Sequence, residues 1–187
     1  MYIYFLPLTS NNIPSTSGIT STSDAVIPVP THDGGLEHTE ARFLPASKWI
    51  SMQDSGEVIL FPPQLFLLHL LSKYLPEPAS SSDGTIPKEY SHDELLAQRS
   101  ALKQFVKTSD PPWGEKVMSP TQIMRRKEDG RNVLALDKPG PELEGTDRRG
   151  DSEFVVLVNF KKEGPRDVEV RLRKEVFEDE RHGKEKL

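Results

Sequence analysis

The stretch from Glu153 to Phe160 limits the possible folds most, because both of its alternating sets of side chains are apolar. Phe and Val face one way along it and Val and Leu the other, which is typical of an interior strand. After a turn at Gly164-Pro165, residues 167–173 alternate apolar and charged side chains. This alternation predicts a half-exposed strand paired with the first as a hairpin. Asn132 to Leu136 is a further strand candidate.

Helices are predicted in the middle of the chain. Pro45 to Ile50 suits a short helix with Pro near its start. Gly56 to Phe61 has the composition of a strand, and Pro62-Pro63 would end that strand and open a helix over Gln64 to Leu75. Since this helix is apolar nearly all round, we expect it to be largely buried.

Ser91 and Glu94 have the spacing of a capping box, which predicts the start of another helix. This helix should end before Pro111-Pro112. The charged segment from Lys174 onward predicts either a frayed helix or disorder.

The first residues also predict a strand, because Tyr2 to Leu6 contain no polar side chain. Natural domains rarely open with a buried strand, so we expect further sequence upstream. Residues 9–40 predict a flexible loop, since the low-complexity Ser/Thr run offers little apolar surface to offset the entropy of ordering. Residues 76–90, rich in Pro, Ser and Gly, predict a linker.

Composition excludes several classes of function. A formal net charge of −5 implies no basic face, which argues against nucleic acid or an anionic membrane as partner. The absence of cysteine excludes disulfides, thiolate metal sites and cysteine nucleophiles. No apolar stretch approaches the ~20 residues of a membrane span, and we expect a cytoplasmic protein.

Few motifs in the sequence carry catalytic chemistry. The five histidines have no helical metal-ligand spacing, and neither a Gly-x-Ser-x-Gly elbow nor a phosphate-binding Gly-rich loop is present. His69 is more plausible as a hydrogen-bonded core or rim histidine than as a catalytic one. Asp33, Glu37 and Glu40 could offer oxygen ligands to Mg²⁺ or Ca²⁺, but a solvated acidic loop is the simpler interpretation.

The strand-to-helix corner at Leu60 to Leu65 is the most distinctive string. It is either a rigid corner or the wall of a pocket. In the second case the helix start would present N–H groups to an anion, and Gln64 would add a side-chain donor and acceptor. Physical reasoning alone leaves these two interpretations about equal.

Several short motifs in a shared order resemble the part of Nudix hydrolases that follows their catalytic box. The motifs are Tyr2-Ile3-Tyr4-Phe5-Leu6, residues 41–50 around Trp49, Val58 to Gln64, Asp129-Gly130, Leu134 to Leu136, Pro139 to Leu143 and the hairpin from Phe154 to Arg173. They cover most of the chain outside the loops. The branch they resemble is typified by nucleoside diphosphate-linked moiety X motif 19 and its fungal relatives.

This resemblance implies a coenzyme A diphosphatase, in which Mg²⁺ or Mn²⁺ activates water to attack a phosphoryl group. The chain itself lacks the box and so carries no catalytic or metal residue of that kind. The acidic run at Glu175 to Glu180 only partly echoes the box, since Phe160, Arg166 and Arg181 stand where defining residues are needed. A charged, solvated helix is the better interpretation. The resemblance leaves a set of substrate-pocket candidates, Phe61, Pro62, Pro63, Gln64 and Trp49.

The expected fold is α+β: an incomplete Nudix-type α/β/α sandwich, with strands from 1–8 and 57–61 in a mixed sheet and helix 64–75 packed on it. A helix and an antiparallel β-meander would extend it. The expected organisation is a partial Nudix domain at 1–75, a linker at 76–90, an extension at 91–175 and a charged tail at 176–187.

Two functions fit these expectations, and whether this chain is itself an enzyme stays open. The first is the C-terminal portion of a Nudix hydrolase, inactive alone, whose complete domain binds a nucleoside diphosphate or coenzyme A-like ligand. The second is a box-less, non-enzymatic binding or interaction module. A third option is a metal enzyme using the acidic helix at 173–180. The ending Glu185-Lys186-Leu187 is a near miss of a peroxisomal signal, so a peroxisomal location is the alternative to a cytoplasmic one.

Overall fold

The computed structural model describes residues 44–76 and 90–182 of the 187-residue chain, all of them within one compact unit that begins at Leu44. The predicted strand at 1–8, the loop at 9–40 and nearly all of the predicted linker lie outside the described residues. The elements in chain order are α1 (Ala46–Asp54), α2 (Pro62–Tyr74), α3 (His92–Thr108), β1 (Thr121–Arg125), β2 (Asn132–Leu136), β3 (Asp151–Lys161), β4 (Gly164–Leu172) and α4 (Arg173–His182). The described residues therefore belong to the mixed α+β class.

The four strands form one antiparallel sheet in the order β1-β2-β3-β4. The predicted hairpin is confirmed, since β3 and β4 pair from Phe154–Leu172 to Lys161–Gly164. Gly164 closes the turn with φ +119°, a conformation that L side chains rarely adopt. The helix opened by the capping box also ends as predicted, at Thr108 before the prolines.

Helices cover both faces of the sheet. On the first face, Leu65, Phe66 and Leu70 of α2 pack against buried side chains of the three strands β2, β3 and β4. On the second face, Val176 of α4 packs against Val133, Val155 and Leu157. β3 is buried on both sides from Phe154 to Val158, which confirms the interior strand predicted from its two apolar sets.

The predicted strand at Gly56 to Phe61 is wrong. These residues form the connection between α1 and α2, and within the described ranges they pair with no strand. Gly56 has φ +78°, and the next two backbone N–H groups donate to the carbonyl of Met52 at the end of α1. Strand-like composition does not produce a strand without a partner. Helix α2 consequently packs on the antiparallel sheet of residues 121–172, and the mixed sheet built on 57–61 is not formed.

One strand, β1, was not predicted, and one helix, α4, was predicted only as one of two alternatives. β1 has no clear signal, because its side chains are mostly exposed and a register shift interrupts its pairing between Gln122 and Met124. The charged segment from Lys174 is helical as far as His182, which confirms the helix of the two alternatives. None of the helices within 44–76 and 90–182 has the length and apolar character required to cross a membrane.

We expect Ser91→Ala to lower the free energy of unfolding by about 0.5–2 kcal/mol, because Ser91 caps α3. The Ser91 Oγ accepts the N–H of Glu94 at 3.3 Å, and the Ser91 N–H donates to the Glu94 carboxylate at 2.7 Å. Urea denaturation measures the loss. The control Ser100→Ala, at an exposed position inside the same helix, should leave stability within about 0.5 kcal/mol. Equal effects of the two changes would contradict the capping role.

Candidate functional site

The corner between the α1–α2 connection and α2 holds four of the five predicted pocket residues. Phe61 precedes the helix and its ring is 56% exposed, while Pro62 is buried, Pro63 is half-buried and Gln64 is exposed. The two prolines occupy the first positions of the helix, where their missing N–H groups cost nothing. The fifth residue, Trp49, is half-buried on α1, which packs against α2.

Hydrogen bonds at this corner use the donors that an anion would need. The side-chain oxygen Oε1 of Gln64 accepts the backbone N–H of Phe61 at 2.9 Å. The carbonyl of Phe61 accepts the N–H groups of Gln64 and Leu65 at 2.9 and 3.0 Å. Because Pro62 and Pro63 carry no N–H, residues 62–65 leave no backbone donor over. The corner therefore offers an exposed aromatic ring and the Gln64 amide rather than a nest of N–H groups.

Two of the large apolar side chains exposed in the described residues, Ile59 and Phe61, lie two residues apart at this corner, and a third, Leu44, precedes α1. Ile59 also lies beside the β3–β4 turn, since a Cβ placed on Gly164 would be 3.5 Å from its methyl group. Neighbouring exposed apolar side chains such as Ile59 and Phe61 indicate a surface suited to contact with further protein or ligand.

A charged cluster on the second face of the sheet was not predicted from the sequence. We call it the Arg126 cluster: Arg126, Glu128, Asp129, Arg131, Glu169, Arg171 and Asp179, which line a cleft of about 530 Å³. The Arg126 side chain is only 4% exposed. It donates to Asp129 at 2.7 Å and to Glu128, and its Nε has no partner among the described residues. The cluster joins the β1–β2 turn, β4 and α4.

Each arginine of the cluster contacts at least two carboxylates, and these contacts shift the pKa values of Asp129 and Arg131. Burial alone would raise the pKa of Asp129, but hydrogen bonds from Arg131 and the positive charges of Arg131 and Arg126 hold that pKa below its ordinary value. Burial would likewise lower the pKa of Arg131, and the carboxylates of Asp129 and Glu169 raise it instead. Both groups are thus fixed in their charged forms.

The acidic face of α4 belongs partly to this pairing. The carboxylate of Asp179 lies 3.0 Å from Arg171, and that of Glu175 lies 3.8 Å from the same guanidinium. Glu180 accepts the backbone N–H of Lys127 at 3.0 Å. Carboxylates committed to arginines and to the backbone are poor candidates for metal ligands, and within the described ranges no group of three possible ligands is brought together.

A buried ion pair anchors the segment between α3 and β1. The Lys116 Nζ lies 2.9 Å from the Asp151 carboxylate, with side chains only 3% and 10% exposed. Asp151 also accepts the N–H groups of Glu153 and Phe154 at 3.0 and 3.1 Å, and the Lys116 ammonium lies 5.4 Å from the centre of the Trp113 ring. The pair is fully provided with partners, so it is a structural anchor rather than a reactive site.

His69 lies on the first face, half-buried on α2, with its ring edge-on to Phe154 at 5.9 Å between centres. Burial lowers the pKa of His69, and the positive charge of Lys73 lowers it further. The half-buried position agrees with the predicted core or rim histidine, but among the described residues the ring lacks the hydrogen bond that this prediction included.

We expect the protein to lose stability as the pH falls below 6.5, the ordinary pKa of histidine, because unfolded His69 binds a proton more readily than folded His69. The stability that neutral His69 contributes is fully present above pH 6.5. It is lost as the pH falls toward the lowered pKa of the folded state. Urea denaturation from about pH 5 to about pH 8 measures it. His69→Gln should flatten this slope and Lys73→Gln should flatten it only in part. An unchanged slope in His69→Gln would refute the assignment.

Comparison of the chain with protein-family models, with curated proteins and with solved structures finds no match in any of the three.

Proposed function

We propose that this chain is the C-terminal portion of a Nudix-type hydrolase that acts on a nucleoside diphosphate or coenzyme A-like substrate. The order of short motifs supports the proposal, above all Val58 to Gln64 followed by the 154–173 hairpin. The observation that carries it furthest is the exposure of Leu44, Ile59 and Phe61, because a partial domain leaves apolar side chains uncovered where its remaining elements belong.

In this proposal the corner at residues 61–64 is part of the substrate side of the site. The Phe61 ring offers an apolar platform, and the two prolines fix the direction of the chain. Because Gln64 uses its Oε1 to accept the Phe61 N–H, its amide NH₂ would be the group that donates to a ligand. The Mg²⁺ or Mn²⁺ that activates water would be held by the glutamates of a catalytic box, which residues 1–187 do not contain.

Mapping the 5′ end of the transcript and assaying the products tests the proposal. We expect an in-frame upstream segment with a complete box. Residues 1–187 alone should release no phosphorylated product from coenzyme A with Mg²⁺ or Mn²⁺, while the extended chain should do so. Phe61→Ala in the extended chain should raise KM, and the matched change Phe160→Ala, equally exposed near the end of β3, should not. An extended chain without activity on any diphosphate substrate would refute the proposal.

A box-less binding module is the second candidate, and the core of the described residues favours it. Within residues 44–76 and 90–182, a continuous apolar core lies between α2 and the sheet. A monodisperse, cooperatively unfolding chain of residues 1–187 that is stabilised by coenzyme A would support this candidate. Aggregation relieved by the upstream segment would support the hydrolase portion instead.

The third option, catalysis by the acidic helix, has a separate test. It requires Mg²⁺-dependent hydrolysis of coenzyme A by residues 1–187 that is lost in Glu178→Gln. Since Glu175 and Asp179 are paired with Arg171, we expect no such activity.

A further inference from the structure

Helix α4 is attached to the sheet by few apolar contacts. Of its ten residues only Val176 is buried, and it packs on the strip formed by Val133, Val155 and Leu157. On the opposite face, α2 buries Pro62, Leu65, Phe66 and Leu70. The two faces of β3 are therefore covered by different helices: α2 buries four of its side chains, and α4 buries one.

Ion pairs supply most of the remaining attachment of α4. Arg171 of β4 contacts both Glu175 and Asp179, and Arg126 lies 3.8 Å from Asp179. The carboxylates of Glu175 and Asp179 are 45% and 46% exposed, so dissolved salt reaches these pairs. The contact of Glu180 with the Lys127 N–H is likewise in an exposed position.

The strip beneath α4 is apolar, lies on the two central strands β2 and β3, and is fully buried. Val133, Val155 and Leu157 are each completely inaccessible to solvent. Among the described elements, α4 is the helix that packs against them. Detachment of this one helix would uncover the strip while leaving the α2 side of the sheet intact.

We propose that α4 is a detachable cover: it leaves the sheet as a unit when its ion pairs are screened, and so exposes the Val133–Val155–Leu157 strip while the rest of the fold persists. The exposure of this apolar surface thereby depends on ionic strength. Local opening of this kind is expected where few apolar contacts and exposed polar contacts hold an element.

The absence of cysteine from the chain permits a sharp test in the full-length protein. Val155→Cys and Val156→Cys place single thiols on neighbouring residues of β3, both fully buried, one under α4 and one under α2. We expect a maleimide reagent to label the thiol at position 155 at least about tenfold faster than that at 156 in high salt. The ratio should fall as the salt concentration is lowered. Val133→Cys is a second reporter if Val155→Cys fails to fold.

Two further substitutions on α4 connect the opening to the ion pairs. Asp179→Asn, combined with Val155→Cys, should speed labelling several-fold in low salt, since it removes the contacts with Arg171 and Arg126. Glu178→Gln removes the same charge from the neighbouring position, where the described residues provide no ion pair, and should leave the rate unchanged. Trp113 fluorescence, on the α2 side, should stay native throughout.

Equal labelling rates at positions 155 and 156 at every salt concentration would overturn the proposal, because both thiols would then be exposed only by global unfolding. Equal effects of Asp179→Asn and Glu178→Gln would also overturn it. Neither outcome bears on the proposed function, which depends on the corner at residues 61–64 and not on α4.

Discussion

Asp151→Ala is expected to lower the free energy of unfolding by about 3–5 kcal/mol, because it leaves the ammonium of Lys116 buried without its counter-ion. The change also removes the acceptor of the Glu153 and Phe154 N–H groups at the start of β3. An unpaired buried charge is far more costly than the loss of a surface pair. Guanidinium denaturation of the full chain measures the difference.

The exposed ion pair between Arg149 and Asp110 provides the control for this prediction. Its two contacts, at 2.8 and 2.9 Å, are as short as the buried one, but the side chains are 61% and 84% exposed. Arg149→Gln should therefore cost less than about 1 kcal/mol. If the two substitutions cost the same, burial would not be the source of the effect.

Phe66→Ala is expected to cost about 3–5 kcal/mol, because the ring is 1% exposed and its removal leaves a cavity at the centre of the first core. The Phe66 ring lies 5.9 Å from that of Phe154 and 6.1 Å from that of Trp113, so one substitution weakens contacts among α2, β3 and the segment before β1. Thermal or chemical unfolding followed by Trp fluorescence reports the loss.

Phe61→Ala is the matched control and separates stability from function. It removes the same side chain five residues away, at an exposed position before α2. Stability should stay within about 0.5 kcal/mol of the wild type. A large destabilisation would mean that the ring supports the fold and is not available to a ligand.

The sheet was largely predictable where the side-chain pattern is set by burial. Residues 154–158 are apolar in succession because β3 has a helix on each face, and β4 alternates because its outer set carries Glu169 and Arg171. Such patterns are local consequences of the fold and can be read from one sequence. β1 was missed because an exposed edge strand with a register shift needs no apolar pattern.

The strand predicted at 56–61 is wrong because the composition is strand-like but no partner strand lies beside it within the described residues. Val58, Ile59 and Leu60 have strand-like composition, but among the described residues they pair with none of the strands β1 to β4, and Gly56 turns the chain from α1 toward α2. Strand formation depends on a partner, which composition does not reveal.

The role of residues 61–64 in a substrate pocket stays a prediction, and the hydrogen bonds that the structure shows among them were not predicted. The sequence places Phe61, Pro62, Pro63 and Gln64 in succession, whereas the use of the Gln64 Oε1 by the Phe61 N–H follows from the backbone angles. The Arg126 cluster was not predicted, because its members come from residues 126–131, 169–171 and 179 and meet only when the sheet and α4 form.

Each strand of the sheet pairs with the next strand along the chain, and this order has a consequence for how the fold is reached. The β3–β4 turn joins Lys161 to Gly164, so the longest pairing needs the shortest loop to close. Pairings between neighbours in sequence keep contact order low, and the entropy lost in closing each loop is recovered before the next one forms. By the same argument the two short connections, at 162–163 and 126–131, close before the longer one at 137–150, so the sheet can assemble from two hairpins that α2 and α4 then cover.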